Sequence, residues 1–569
     1  MRLCALLSVV WVLAACAPSE SKQPADLVLR GGKVITVDQA LGEQEAIAII
    51  GHEITAVGSN DEIEGFIGAD TEVIDLQGAT VIPGLIEGHG HYLGLGRSKQ
   101  ILDLSSAESF ADIVTQVGVA VDRAEPGEWI YGRGWHQEKW LEVVEPSVEG
   151  VPTHHSLSAI SPDNPVLLGH ASGHAAFANG RALAIAGIDA NTQDPPGGTI
   201  VKDRDGEPTG LLRETAQRLV QAHAARAQAA MGDEAYRAML LEQVQLAGEE
   251  ALRYGVTSFH DAGADFRTID FLRAQEEIHG LPIRLYVMLR VPAQEMQGRL
   301  GDYLMPLEGN DFLTVRSIKK QIDGALGAHG AWLLEPYVDL PETAGLVLET
   351  VEEVTRTAEL AVAAGFQVNT HAIGTRANRE VLDIYEAVWQ AAKVDGKELR
   401  WRMEHAQHIH VDDIPRFAEL GVIASVQGVH CTSDGPWIST RLGAARTEST
   451  SYRWRDLLDS GAIINNGTDA PVESLNPFTS LYSSVYRVMS DGQAFFPEQG
   501  MTREEALYSY TMGNAIAAFE EAHKGSITPG KFADLAVLDR DILTVPAEQM
   551  ADTQVLYTLV GGEVRYQAP

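Results

Sequence analysis

The chain has 569 residues, 45% of them apolar, with 54 glycines, 43 basic and 79 acidic side chains. Its formal net charge of −36 argues against nucleic acid or an anionic membrane surface as partner, because both repel such a field. The length exceeds one small domain, and the composition fits a large α/β enzyme built as one main unit with a satellite.

The first elements concern address. Met1-Arg2, an apolar run over 3–12 and then Leu13-Ala14-Ala15-Cys16 read as a secretory leader, too short to span a bilayer. The pattern resembles a bacterial lipobox. It predicts a signal peptide over 1–15, lipidation at Cys16 and a polar tether over 16–25. The expected location is the bacterial cell envelope, facing the periplasm, with membrane contact through the lipid alone. Cys4 leaves with the leader and Cys16 takes the lipid, so Cys431 stands alone and no internal disulfide is expected. No basic cluster adjoins Cys431, which reads as a buried thiol.

Residues 26–82 then alternate apolar and polar positions between glycines, as in DLVLRGGKVITV and EAIAIIGHEITAVG, the pattern of short strands. KFADLAVLDRD and VLYTLVGGEVRY repeat this style near the C-terminus. The expectation is a composite β-sandwich from 26–82 plus 525–569, with Gly31-Gly32 and Gly561-Gly562 as matching hairpin turns. Over 83–524 strand and helix alternate. Candidate strands lie at 81–88, 256–261, 283–289, 315–322, 366–371, 400–405, 422–426 and 462–468. Eight such units predict an α/β fold, a (β/α)8 TIM barrel. The stretch of about 100–250 is far too long for one connection and reads as an inserted subdomain roofing the active site.

Histidines and one carboxylate close several of these apolar runs. His89 and His91 end VIPGLIEGHGH two residues apart, so both project from one face of a strand. His371 in QVNTHAIG, His405 in RMEHAQ and Asp469 in NNGTDAP end the fifth, sixth and eighth strands. These are the strand ends where such barrels keep their chemistry, and neutral imidazole with carboxylate is a zinc donor set. Glu404, beside His405, is expected by alternation to point away from the metal. SIKKQIDGALG offers Lys319 or Lys320, with Asp323 as a candidate partner on the face of Lys319. His174, His260 and His430 are candidate substrate contacts. Trp437, like Trp135, Trp140 and Trp332, either packs the core or lines an apolar pocket.

VIPGLIEGHGH, THAIG, EHAQ, GTDAP and GSITPGKFADLAVLD together resemble the amidohydrolase superfamily, from about residue 26 to the C-terminus. GHAAFANGRALAIAGI, DPPGGTI, GEPTGLLRE and DGALG resemble its YtcJ-like branch of metal-dependent hydrolases. The resemblance implies a distorted barrel and one or two Zn2+ held by His89, His91, His371, His405 and Asp469. The family's Lys-x-x-x-Asp-Gly spacing selects Lys319 as a lysine carboxylated by CO2 that bridges two metals. It also implies a zinc-dependent hydrolase cleaving an amide or related C–N bond of a small-molecule substrate through a metal-bound hydroxide. Asp469 would be the catalytic proton carrier. Thr375 and His136 stand where relatives often carry Asp, which bears on substrate choice. A mononuclear metal-dependent deaminase or lactonase on this scaffold is the alternative, and a non-catalytic small-molecule-binding lipoprotein the more distant one. The sequence carries no signal of oligomeric state.

Overall fold

The computed structural model describes residues 22–569 apart from 138–139, 142–145, 149, 172, 174, 197 and 230–231. The leader, Cys16 and His174 therefore lie outside the described residues.

Eight parallel strands neighbour one another in chain order: β1 (Leu85–Gly90), β2 (Val256–Ala264), β3 (Arg284–Leu289), β4 (Leu313–Gln321), β5 (Gln367–Ala372), β6 (Arg402–His405), β7 (Ile423–Gln427) and β8 (Ile464–Gly467). Continuous burial, as over all six residues of β3, is what strands covered on both faces require. The covering helices have ordinary local causes. The helix Val351–Ala364 starts where the Thr350 side chain caps Glu353 N–H, ends at Gly365 in the left-handed region, and buries Val354, Ala358 and Ala361. The barrel closes where β8 returns to β1. Asp469 N–H donates to His89 O (2.8 Å) and His91 N–H to Ala470 O (2.7 Å). Thr468 N–H adds a bond to Glu87 Oε1 (2.6 Å).

The run expected as one strand over 81–88 is two. Thr80–Pro83 pairs antiparallel with Leu535–Leu538, while β1 begins at Leu85 and pairs with β2. Gly84 lies between them, where any Cβ would collide with Thr257 of β2, so the chain changes sheets at the one residue small enough to pass.

The first sheet beyond the barrel orders Glu53–Gly58, Ala46–Ile50, Leu27–Arg30 and Glu72–Asp75. The second orders Glu563–Gln567, Val555–Val560, Leu535–Leu538, Thr80–Pro83, Lys33–Ile35 and Glu43–Gln44, mixing both chain ends. Leu29, Ile49, Val81, Leu535 and Leu559 share one apolar core between them. The two Gly-Gly pairs are not equivalent. Gly561 and Gly562 turn a hairpin with φ of 59° and 78°, the two left-handed residues of a tight I′ turn. Gly31 instead carries the chain from one sheet to the other.

Between β1 and β2 stands a separate six-stranded sheet running from Leu102–Asp103 to Pro208–Glu214, with Phe110, Ile113, Leu168 and Phe177 in its core. The helix Gln217–Ala229 follows it. The next helix, Asp233–Arg253, belongs to the barrel's jacket: Tyr92 Oη bonds Val244 O (2.9 Å) and Gln243 bonds Gln100 (2.9 Å). The insertion thus occupies about 102–229 and not all of 100–250. Among the described residues no helix is long and apolar enough to cross a membrane.

Candidate metal centre and active site

At the C-terminal end of the barrel, His89 comes from β1, His91 from the residue that starts the next helix, and Asp469 from the turn after β8. His91 Nε2 stands 3.3 Å and His89 Nε2 3.8 Å from Asp469 Oδ1. Ligand atoms of His89, His405 and Asp469 all lie within 4.8 Å of one another. The His371 ring is 4.3 Å from that of His405. Lys319 Nζ reaches His89 Nε2 at 3.1 Å. Six side chains from β1, β4, β5, β6 and β8 therefore meet at one point.

Two of the imidazoles are steered from behind. Glu404 accepts a short bond from His89 Nδ1, and Gln427 Oε1 accepts from His405 Nδ1 at 2.8 Å. Both bonds leave Nε2 as the lone-pair nitrogen facing the site. Glu404 is in turn held by Arg402 Nε (2.7 Å) and Nη2 (3.0 Å). His371 Nε2 and Asp469 Oδ1 are buried with no hydrogen-bond partner among the described residues. Orphaned buried donors and acceptors of this kind fit a metal ion.

The electrostatics agree with ligand duty. Burial, followed by the charge of Lys319, lowers His89 to a pKa of about 4. Burial also holds His371 and His405 well below the ordinary histidine value. All three are thus neutral and available as donors. Burial pushes the carboxyl of Asp469 up, but the bond to His91 and the imidazoles of His89, His91 and His405 outweigh it, so it is an anion. Glu404 behaves likewise, its burial overcome by Arg402 and His89. Lys319 falls to about 8, chiefly through burial. Its neighbour Lys320 faces outward, bonded to Glu353 (2.8 Å) and Glu349 (2.9 Å). Lys319 is not paired with Asp323, whose carboxylate accepts N–H bonds from Ile373, Gly374 and Trp332.

Glu404 departs from its expected direction. Alternation fails because His405 has φ of 76° and Ala406 of 45°, so the left-handed turn brings both Glu404 and His405 inward. The signal was present in Arg402-x-Glu404, a same-face ion pair two residues apart on a strand. The softer candidates divide. His430 and Trp437 line the cavity above the metal centre, together with Trp135. His260 does not; it lies deeper, fully buried, with Nδ1 3.1 Å from Arg402 Nη1. Trp140 packs on Phe110 and Trp135 in the insertion, and Trp332 lies under Arg376. Thr375 caps a backbone N–H of Leu334, and His136 packs on His170. Cys431 is buried, its thiol pushed up to about 12 by that burial.

The cavity has a volume of about 1370 Å³, and the insertion supplies part of its wall through Trp135, His170, Arg213 and Gln217. A model of the amidohydrolase family matches residues 72–566. The chain belongs to the amidohydrolase family. It is 33% identical over 95% of its length to Protein LONG AFTER FAR-RED 3 of Arabidopsis thaliana, covering 92% of that protein. Identity to Putative amidohydrolase YtcJ of Bacillus subtilis is 30% over 95% of this chain and 99% of that one. With the N-substituted formamide deformylase of Arthrobacter pascens it is 28% over 96% and 99%. Among solved structures, an uncharacterized metal-dependent hydrolase from Pyrococcus horikoshii superposes with a TM-score of 0.74 at 27% identity, over 92% of this chain and 99% of that one. The family and its site make this chain a YtcJ-like, metal-dependent hydrolase.

Proposed function

We propose that the enzyme uses one or two zinc ions, held by His89, His91, His371, His405 and Asp469, to hydrolyse an amide or related C–N bond of a small molecule. The carrying observation is the convergence of His89, His405 and Asp469 ligand atoms within 4.8 Å beneath a walled cavity. The likeness to a formamide deformylase supports an N-acyl substrate. When bound, zinc supplies Lewis acidity toward the carbonyl and makes water a nucleophile near neutral pH.

The chain's own residues do the rest. Asp469, held anionic by the imidazoles around it and with His91 Nε2 3.3 Å from Oδ1, takes the proton of the attacking water and delivers it to the departing nitrogen. Glu404 and Gln427 hold His89 and His405 in the tautomer that presents Nε2. Lys319, its proton affinity lowered by burial, would supply the amine that adds CO2, losing one proton to water, and so contribute a carbamate oxygen donor beside His89.

Metal content tests this on protein purified without chelators and with bicarbonate. About two zinc ions per chain, falling to one or fewer in Lys319→Ala, supports the carbamate-bridged hydrolase. One zinc, unchanged by Lys319→Ala, transfers the assignment to a mononuclear deaminase or lactonase. We further propose export and lipidation at Cys16, read from the sequence before it. A Cys16→Ser chain that still fractionates with membranes overturns that anchor.

A further inference from the structure

One cation lining the cavity has no counter-ion among the described residues. Arg290 follows β3 directly, its backbone N–H bonded to Ala264 O (2.8 Å), and its side chain lines the cavity with His89, Lys319 and His371. Space for its stem is made in β2 by Gly263, at φ of 137°, where a Cβ would stand 2.6 Å from Arg290 Cδ and 2.9 Å from Arg290 Cβ. The register between β2 and β3 is irregular at this point. Such irregularities re-aim side chains beside active sites.

The guanidinium donates through Nη2 to Gln321 Oε1 (2.6 Å). Gln321 Nε2 donates to Asp323 O (3.3 Å), which keeps the amide oxygen turned toward Arg290. Among the described residues Arg290 enters no ion pair. Acidic partners are plentiful in a chain with 79 acidic side chains, and Arg284, Arg379, Arg400 and Arg416 each take one. Of the cavity's four carboxylates, Asp434 follows β7 and Asp469 and Glu473 follow β8, across the barrel from β3, while Glu214 ends a strand of the insertion; none pairs with Arg290 among the described residues. The charge of Arg290 falls instead on the Lys319 and His371 side.

We propose that Arg290, positioned by Gln321 and the gap at Gly263, binds a substrate carboxylate, so that the amide cleaved is that of an N-acyl amino acid. The identity of the cleaved bond rests on the hydrolase reading above; the anion site does not. A guanidinium offers two parallel N–H donors matched to a carboxylate. With a net charge of −36 the protein repels an anion at long range, so a local cation must supply the attraction. Fixing the carboxylate at one point orients the scissile amide over the metal ligands. Water then adds across the C–N bond: hydroxyl to the acyl carbon, proton to the nitrogen, giving a carboxylic acid and a free amino acid.

The test uses matched pairs on the full zinc-loaded chain, N-acetyl amino acids of both hands against the same amides lacking the carboxylate. N-acetylphenylalanine and N-acetylphenethylamine are one such pair. The best pair should differ in kcat/KM by roughly a hundred-fold, mostly through KM, because a site built for a charged group is left unpaired by its absence. Arg290→Gln should collapse that ratio to within a few-fold, and Arg290→Lys should restore part of it. Equal turnover of both members by the natural protein overturns the proposal. So does loss of zinc from Arg290→Gln, which would assign Arg290 to the metal centre. Calorimetric titration of Asp469→Asn protein with the same N-acetyl amino acids separates the two readings. Binding that Arg290→Gln abolishes sustains the anion site even if no amide is hydrolysed; no binding and no turnover overturns it.

Discussion

Between the two sheets of the sandwich, Leu29, Ile49, Val81, Leu535 and Leu559 are buried against one another with no charge among them. In the barrel's centre, at equal depth, stand Arg402, Glu404, His89, His260 and Ser425, none more than about 1% exposed. The apolar core needs only volume and shape. The polar one must answer for its donors and acceptors, and it does so mainly through Arg402, which bonds Glu404, Gly88 O, Ser425 and His260. A barrel of this size can be filled with aliphatic side chains, and burying ions is costlier than burying carbon. The charged centre is therefore stability forgone to hold one imidazole: Arg402 fixes Glu404, and Glu404 fixes His89.

Substitutions in the two regions should separate accordingly, with barrel changes moving chemistry and sandwich changes moving stability. The largest effect is expected from Asp469→Asn, which keeps the shape and removes the proton carrier. Turnover should fall by on the order of 10³–10⁴ while part of the metal is retained, read by steady-state rates beside metal analysis. Activity within ten-fold of the natural protein would remove Asp469 from catalysis. Next comes Glu404→Gln, one step behind the ligand. Zinc affinity should weaken by roughly 10–100-fold, measured by competition with a chelator of known affinity. Unchanged affinity would reduce Glu404 to a counter-ion for Arg402. Leu535→Ala should do the opposite of both: about 2–5 kcal/mol lost in denaturant unfolding, with metal per folded chain unaltered.

This division also marks what was readable beforehand. The eight strands, and the candidate ligands brought together at the ends of the first, fifth, sixth and eighth, followed from apolar runs closed by His or Asp. Periodicity carried that far because it reports burial, and both regions are buried. It failed where the backbone leaves the regular strand. Glu404 was turned outward on paper because His405 and Ala406 adopt left-handed φ values. The first strand was drawn too long because Gly84 passes the chain between sheets without breaking the apolar run. His260 looked like a substrate contact because it sits on a barrel strand, but its partner Arg402 is 142 residues away in sequence. Arg290 carried no local signal at all, since the glycine that makes room for it lies in the preceding strand.

The contrast narrows to a single strand at Lys319 and Lys320, one turned into the charged centre and the other to the jacket carboxylates Glu349 and Glu353. Burial lowers Lys319 from 10.5 to about 8. Because the folded pKa lies below the unfolded one, the unfolded chain holds the extra proton between pH 8 and 10.5, and stability rises with pH across that window. Below pH 8 the folded state carries the full cost of the buried ammonium, about 3 kcal/mol for a drop of this size. Metal-free, CO2-free protein should therefore gain stability from pH 8 to 10.5 relative to Lys319→Met, whose side chain has no proton to lose. Denaturant midpoints at closely spaced pH values read the difference directly. Parallel curves for the two proteins would mean that water in the cavity already solvates Nζ, and the neutral amine needed for carbamate formation would then be scarce at neutral pH.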